Sequence, residues 1–152
     1  MFKETYFHTL DEKGRLAIPS KWRNTSLHDS NFLVVAKGLD SNLFVYTEQG
    51  WKQQIEERIK NLPLGNHDVR SFIRFFVSGS SECVIDRSGR IMLPQSLIDY
   101  ASLKKDVVIN GAGLYIEIWA KELWNKFFSD NEEKLKAFAQ DFFNTPLQDN
   151  KS

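Results

Sequence analysis

Hydrophobic and polar positions along this chain change period in a fixed order, and that order occurs twice. Thr5-Tyr6-Phe7-His8-Thr9-Leu10 is rich in β-formers, Arg15-Leu16-Ala17-Ile18 alternates, and the turn-forming Asp11-Glu12-Lys13-Gly14 lies between them, which predicts a hairpin. Pro19 suits the first turn of a helix, where its missing N–H costs nothing, so Ser20-Lys21-Trp22-Arg23 is expected to form a short helical turn. Residues 32–36 and 43–46 supply two more strands. After Thr47, a suitable N-cap, Trp51, Ile55, Ile59 and Leu62 recur at helical spacing until Pro63-Leu64-Gly65-Asn66 stops them. Asp68 stands where it would cap a second helix, whose apolar stripe is Val69, Phe72, Ile73 and Phe76.

The second half repeats the order: Glu82-Cys83-Val84-Ile85, a turn at 86–89, a strand at 90–93, Pro94 with Leu97 and Ile98, then strands at 107–109 and 115–119. Two further helices are expected, one with Leu123, Trp124, Phe127 and Phe128 on its face. The other, after Ser129-Asp130-Asn131, carries Leu135, Phe138, Ala139 and Phe142 and ends at Thr145-Pro146. The repeat is also literal. Asp11-Glu12-Lys13-Gly14-Arg15-Leu16-Ala17-Ile18-Pro19 returns as Asp86-Arg87-Ser88-Gly89-Arg90-Ile91-Met92-Leu93-Pro94, 75 positions later, and the shift shortens to 73 by Trp51 and Trp124. The expected organisation is a first repeat with connecting helices at 1–76, a second with C-terminal helices at 77–143, and a short flexible tail at 144–152. About 75 residues make a marginal core, so the two copies are expected to interlock.

Composition narrows the functional classes. No apolar run approaches the ~20 residues that span a bilayer, the N-terminus lacks the apolar stretch of a secretory signal, and the lone Cys83 cannot form an internal disulfide. A cytoplasmic, reducing setting is expected. His8, His28 and His67 are isolated, Cys83 sits in a strand without a nearby base, and no Gly-rich phosphate cradle with its lysine occurs. The chain is therefore read as no enzyme, with no catalytic residues, no metal, no cofactor and no small-molecule substrate. Twenty basic and 20 acidic residues give zero net charge, which argues against strong non-specific binding to nucleic acid. Charge is unevenly distributed, however: Lys3, Lys13, Arg15, Lys21 and Arg23 outnumber the acids of the first 24 positions.

In the repeated turn, glycine supplies φ > 0 and close backbone approach, while arginine offers a planar fork to phosphate or guanine. An exposed hairpin so equipped is a candidate DNA contact. The same residues equally describe plain turns in which Arg15 and Arg90 are tied to Asp11 and Asp86 by salt bridges. Lys21 and Arg23, flanking Trp22, are candidate phosphate contacts or a solvated face over a core tryptophan. The aromatics at helical spacing, Trp51, Trp124, Phe72 and Phe76, are expected to be core, and part of the 127–142 stripe could instead meet a neighbouring subunit.

The doubled Asp-x-x-Gly-Arg-apolar-x-apolar-Pro motif, at this separation and chain length, resembles the MraZ family of bacterial regulators, with coverage from Met1 to about Phe143. Single copies of a similar motif occur in AbrB-like swapped-hairpin regulators. The resemblance implies an α+β fold: a double-split β-barrel of AbrB-like swapped-hairpin type, formed by two pseudo-repeats in one chain with flanking helices. It further implies a nucleoid-associated transcription factor of the division and cell-wall gene cluster. Such a protein would bind double-stranded DNA, reading short direct repeats near its own promoter through hairpin loops on a homo-oligomeric ring. The family's Asp-x-Lys-Gly-Arg element falls on Asp11, Lys13, Gly14 and Arg15, where the lysine and arginine are the expected DNA contacts. Arg90 matches the second arginine; Ser88 replaces the second lysine, with Arg87 one place earlier. A non-catalytic scaffold that oligomerises without specific DNA binding is the alternative.

Overall fold

The alternating segments form strands, but neither hairpin closes on its own copy. In the computed structural model, which describes residues 1–147, β1 (Thr5–Thr9) and β2 (Arg15–Ala17) share no ladder: an isolated bridge links Leu10, just past β1, to Leu16, and His8 Nδ1 lies 2.8 Å from the Ala17 carbonyl oxygen. β1 instead pairs antiparallel with β7 (Asp106–Gly111), and its counterpart β5 (Ser81–Val84) pairs with β3 (Phe32–Lys37). β2 pairs with its own counterpart β6 (Arg90–Met92), setting Leu16 opposite Ile91. Each copy thus donates its first strand to the other copy's third. With β4 (Leu43–Thr47) and β8 (Ile116–Ala120) in the middle, the large sheet runs β1-β7-β8-β4-β3-β5, and β2-β6 forms a separate ribbon. The six-stranded sheet keeps β1 and β5 as edges, so its hydrogen bonding does not close into the expected barrel.

Exchange explains why one half would not suffice. Leu16 and Ile91, from different copies, are both wholly buried, as are Leu33, Leu43, Ile109 and Ile118. Each such side chain contributes about 1.5–3 kcal/mol when fully buried. Pro19 and Pro94, in extended conformation, occupy the caps of α1 (Ser20–Arg23) and α5 (Gln95–Tyr100), which drop Trp22 and Leu97 into the same core.

After β4 the chain enters α2 (Glu48–Trp51), a wide-turned π-helical stretch (Lys52–Glu56) and α3 (Glu57–Ile59), then turns back as α4 (His67–Phe76). Thr47 caps α2 as expected, its Oγ1 accepting from the Gly50 N–H at 2.9 Å. The cap of α4 is Asn66, not Asp68, because the Asn66 carboxamide oxygen accepts from both the Asp68 and Val69 N–H groups. Asp68 sits in the first turn, favourable against the helix dipole. Trp51 and Phe76 stack at 5.5 Å within a buried cluster with Val34, Ala36 and Tyr46.

The two helices expected after β8 are one, α6 (Lys121–Asn144). Ser129-Asp130-Asn131 holds no proline or glycine, and Asn131 Nδ2 donates back to the Phe127 carbonyl at 2.8 Å, so this polar triplet does not break the helix. Contacts divide the chain into residues 1–121 and a second unit that begins at Glu122. The expected tail lies outside the described residues from Gln148 onward. Among the described residues no helix is long and apolar enough to cross a membrane.

Candidate nucleic-acid interface

Both motif turns are built by one device. Asp11 Oδ1 accepts from the backbone N–H of Lys13 (2.9 Å) and Arg15 (2.8 Å), and Asp86 Oδ1 accepts from Ser88 (2.8 Å) and Arg90 (2.9 Å). Gly14 and Gly89 close the turns at φ of +78° and +76°, a region that L side chains rarely adopt. The turns also clasp each other's strands: the Gly14 carbonyl accepts from the Leu93 N–H at 2.8 Å, and the Gly89 carbonyl from the Ile18 N–H at 2.9 Å.

Register decides where the arginines lie. Opposed residues of an antiparallel pair share a face, and Arg15 opposes Met92 while Ala17 opposes Arg90. Arg15, Ala17, Arg90 and Met92 therefore stand on one face of the β2-β6 ribbon, with Leu16 and Ile91 buried on the other. Met92 is exposed, and the two arginine positions are two rungs apart, ~7 Å along the ribbon.

Each arginine is tied to its own aspartate through Nε, at 2.6 Å for Arg15 and Asp11 and 3.3 Å for Arg90 and Asp86. The salt bridges of the plain-turn reading are thus present. Among the described residues these pairs engage Nε alone, so the Nη groups of the fork remain available for an anion or a base edge. The Arg15 backbone N–H above all holds the Asp11 carboxyl below the usual carboxylate range, and Arg90 does the same for Asp86. Both acids are ionised near neutral pH and hold the arginines in place.

Lys13 and Arg87 extend from the turn tips, exposed and without an ion pair among the described residues. Lys21 and Arg23 are placed differently. Lys21 Nζ lies 2.7 Å from Glu4 Oε1, and the Tyr6 hydroxyl donates to Glu4 Oε2 at 2.6 Å, which depresses the Glu4 carboxyl and raises the Lys21 amine. Arg23 lies across the Gly89 turn, its Nε donating to the Ile18 carbonyl at 3.1 Å, and a Cβ on Gly89 would run into its guanidinium. Its counterpart over Gly14 is Ile98, whose Cδ1 stands 3.0 Å from where a Cβ would be. Each turn is thus covered by the short helix of the other copy.

Lys104 and Lys105 were not among the sequence candidates. They border a cleft of about 670 Å³ beside the first turn, with Asp11, Glu12 and Ile98, because the Leu10 N–H donates to the Lys105 carbonyl at 2.8 Å. Their adjacency in sequence was the only local signal. Among the described residues no group of three or more His, Cys, Asp or Glu is placed to hold a metal ion.

Fold and site together define a class: a tandem-repeat α+β protein whose two copies exchange strands and display one aspartate-braced arginine turn each. A family model described as "MraZ protein, putative antitoxin-like" matches twice, over residues 1–75 and 76–144. The chain is 46% identical over 141 residues to the "Transcriptional regulator MraZ" of Natranaerobius thermophilus, covering 93% of this chain and 96% of that protein. Identity is 44% to the protein of the same name from Carboxydothermus hydrogenoformans and 42% to that from Moorella thermoacetica, each over 92% of this chain and 95% of the relative. The chain belongs to the MraZ family.

Proposed function

We propose that this protein is a sequence-specific, non-enzymatic DNA-binding transcriptional regulator whose contact surface is the outer face of the β2-β6 ribbon and its two turns. The observation that carries the reading is the placement of Arg15 and Arg90 on one exposed face, each pre-set by its own aspartate. A two-stranded ribbon fits the major groove, and a fixed arginine fork suits guanine or phosphate. Lys13, Arg87, Lys104 and Lys105 widen the positive surface on both sides, and the names of the curated relatives support a regulator. Arg23 acts by supporting the Gly89 turn, and Lys21 is a secondary contact once Glu4 releases it.

The finer parts of the reading rest on the family resemblance. The strand exchange is of AbrB-like swapped-hairpin type, the repeat boundary falls at 76/77, and the protein works at the nucleoid on the division and cell-wall gene cluster. It reads short direct repeats near its own promoter as a ring, which reconciles zero net charge with useful affinity, since linked sites gain by effective concentration. Fluorescence anisotropy with duplexes bearing one, two or three repeats from upstream of its own gene tests this. Affinity should rise steeply with repeat number and exceed that for shuffled DNA. Equal binding to all of them supports the scaffold reading, which zero net charge favours.

A further inference from the structure

The outer face of the β2-β6 ribbon holds more than its arginines. Opposed pairs place four side chains on it, Arg15 with Met92 and Ala17 with Arg90, and of these Met92 alone is both large and apolar. Water does not call for such a residue, since an antiparallel ribbon with one face in solvent ordinarily alternates apolar inside and polar outside. Met92 is 57% exposed, whereas Ile91 beside it and Leu16 across from Ile91 are wholly buried.

The repeat relates Arg15 to Arg90 and Ala17 to Met92, so a local two-fold axis through the Leu16–Ile91 pair exchanges the two arginines but sets a methyl group against a thioether. The cations of this face are matched and its apolar positions are not. Opposed Cβ atoms in an antiparallel pair stand ~5 Å apart. The Met92 thioether and the Arg15 guanidinium thus address the same base pair of a duplex or adjacent ones, which rise by ~3.4 Å. In the major groove thymine displays a C5-methyl group that the other three bases lack. A flexible, polarizable thioether suits that group, while Ala17, beside Arg90, ends at its Cβ and reaches less far.

We propose that Met92 is a specificity-determining residue: it packs on the C5-methyl of a thymine at or next to the base pair that Arg15 contacts, and so gives the ribbon one direction along each repeat. This rests on the DNA-binding reading above.

Deoxyuridine differs from thymidine by that methyl alone, which makes the contact measurable. The probe is a repeat-bearing duplex from upstream of the protein's own gene, in which one thymine position at a time is changed to deoxyuridine in every repeat. Fluorescence anisotropy with the full-length protein reads the affinity. At one position the change should weaken wild-type binding by about three- to fivefold per repeat, the worth of one buried methyl. Met92→Ala should bind the thymine duplex more weakly by the same factor and no longer distinguish deoxyuridine there, whereas Met92→Leu should keep the discrimination. Circular dichroism should stay unchanged, because the side chain at 92 is exposed. Repeat-specific binding that is lost in Arg15→Ala yet indifferent to every deoxyuridine overturns the methyl contact and leaves the DNA reading standing. So does a Met92→Ala variant that keeps the deoxyuridine penalty. No preference of the wild type for repeats over shuffled DNA overturns both.

Discussion

Arg23 and Gly89 are coupled across the copy boundary, and the coupling can be measured. Gly89→Ala places a Cβ on a backbone at φ +76°, which costs about 1–2 kcal/mol for an L residue. That Cβ also displaces the Arg23 guanidinium and breaks the 3.1 Å bond from Nε to the Ile18 carbonyl. Arg23 is only part-buried, so that bond adds about 1 kcal/mol, toward the low end for a charged donor. The single variant should lose about 2–3 kcal/mol in urea unfolding followed by tryptophan fluorescence. In an Arg23→Ala background the same substitution should cost only the backbone strain, giving an interaction energy near 1 kcal/mol in the double-mutant cycle. Gly14→Ala, whose neighbours are Ile98 and the Leu93 carbonyl, should be indifferent to Arg23. Equal cost for Gly89→Ala in both backgrounds would refute the view that Arg23 supports this turn.

Arg15→Ala and Arg90→Ala should each weaken repeat DNA at least tenfold in anisotropy titrations. Unfolding midpoints should move little, because both side chains are about a third exposed. Lys21→Ala should weaken binding less than either, and its effect should vanish at high salt. The Asp11 and Asp86 carboxyls are depressed by the N–H groups of Arg15 and Arg90, so their contribution is full above about pH 4 and is lost as pH falls through the folded values. The protection of the amides of Lys13, Arg15, Ser88 and Arg90, measured against the intrinsic exchange rate at each pH, should therefore fall in acid, and Asp11→Asn should remove that pH dependence at the first turn alone. Burial, with Tyr115 nearby, pushes the Tyr46 phenol up to about 12, so the stability it lends is full below about pH 10 and is lost as pH climbs through 12. An alkaline absorbance titration should find Tyr46 ionising together with unfolding.

The strands were legible because alternation and turn chemistry agree at each of them, and the doubled motif marked both turns. Strand exchange was not legible in the alternation itself, and only the family resemblance pointed toward it: β1 satisfies the same alternation whether it pairs with its own copy or with β7, and the three-dimensional register chooses. The site was half visible for the same reason. Arg15 and Arg90 could be picked from the motif, whereas Arg23 over Gly89 and Lys105 beside Leu10 are neighbours created by the exchange. At 129–131 polar residues looked like a break, but without proline or glycine a local back-bond suffices to carry the helix through.

The central claim is that the β2-β6 ribbon and its turns lie on DNA. Tethering an iron chelate to Lys13→Cys, Ser88→Cys or the remote Lys60→Cys, and mapping hydroxyl-radical cleavage of a repeat-bearing duplex, tests it most directly. Strong, localised cuts within the repeats from positions 13 and 88 and none from 60 are predicted. Uniform cleavage, or cuts from position 60 alone, would contradict the account.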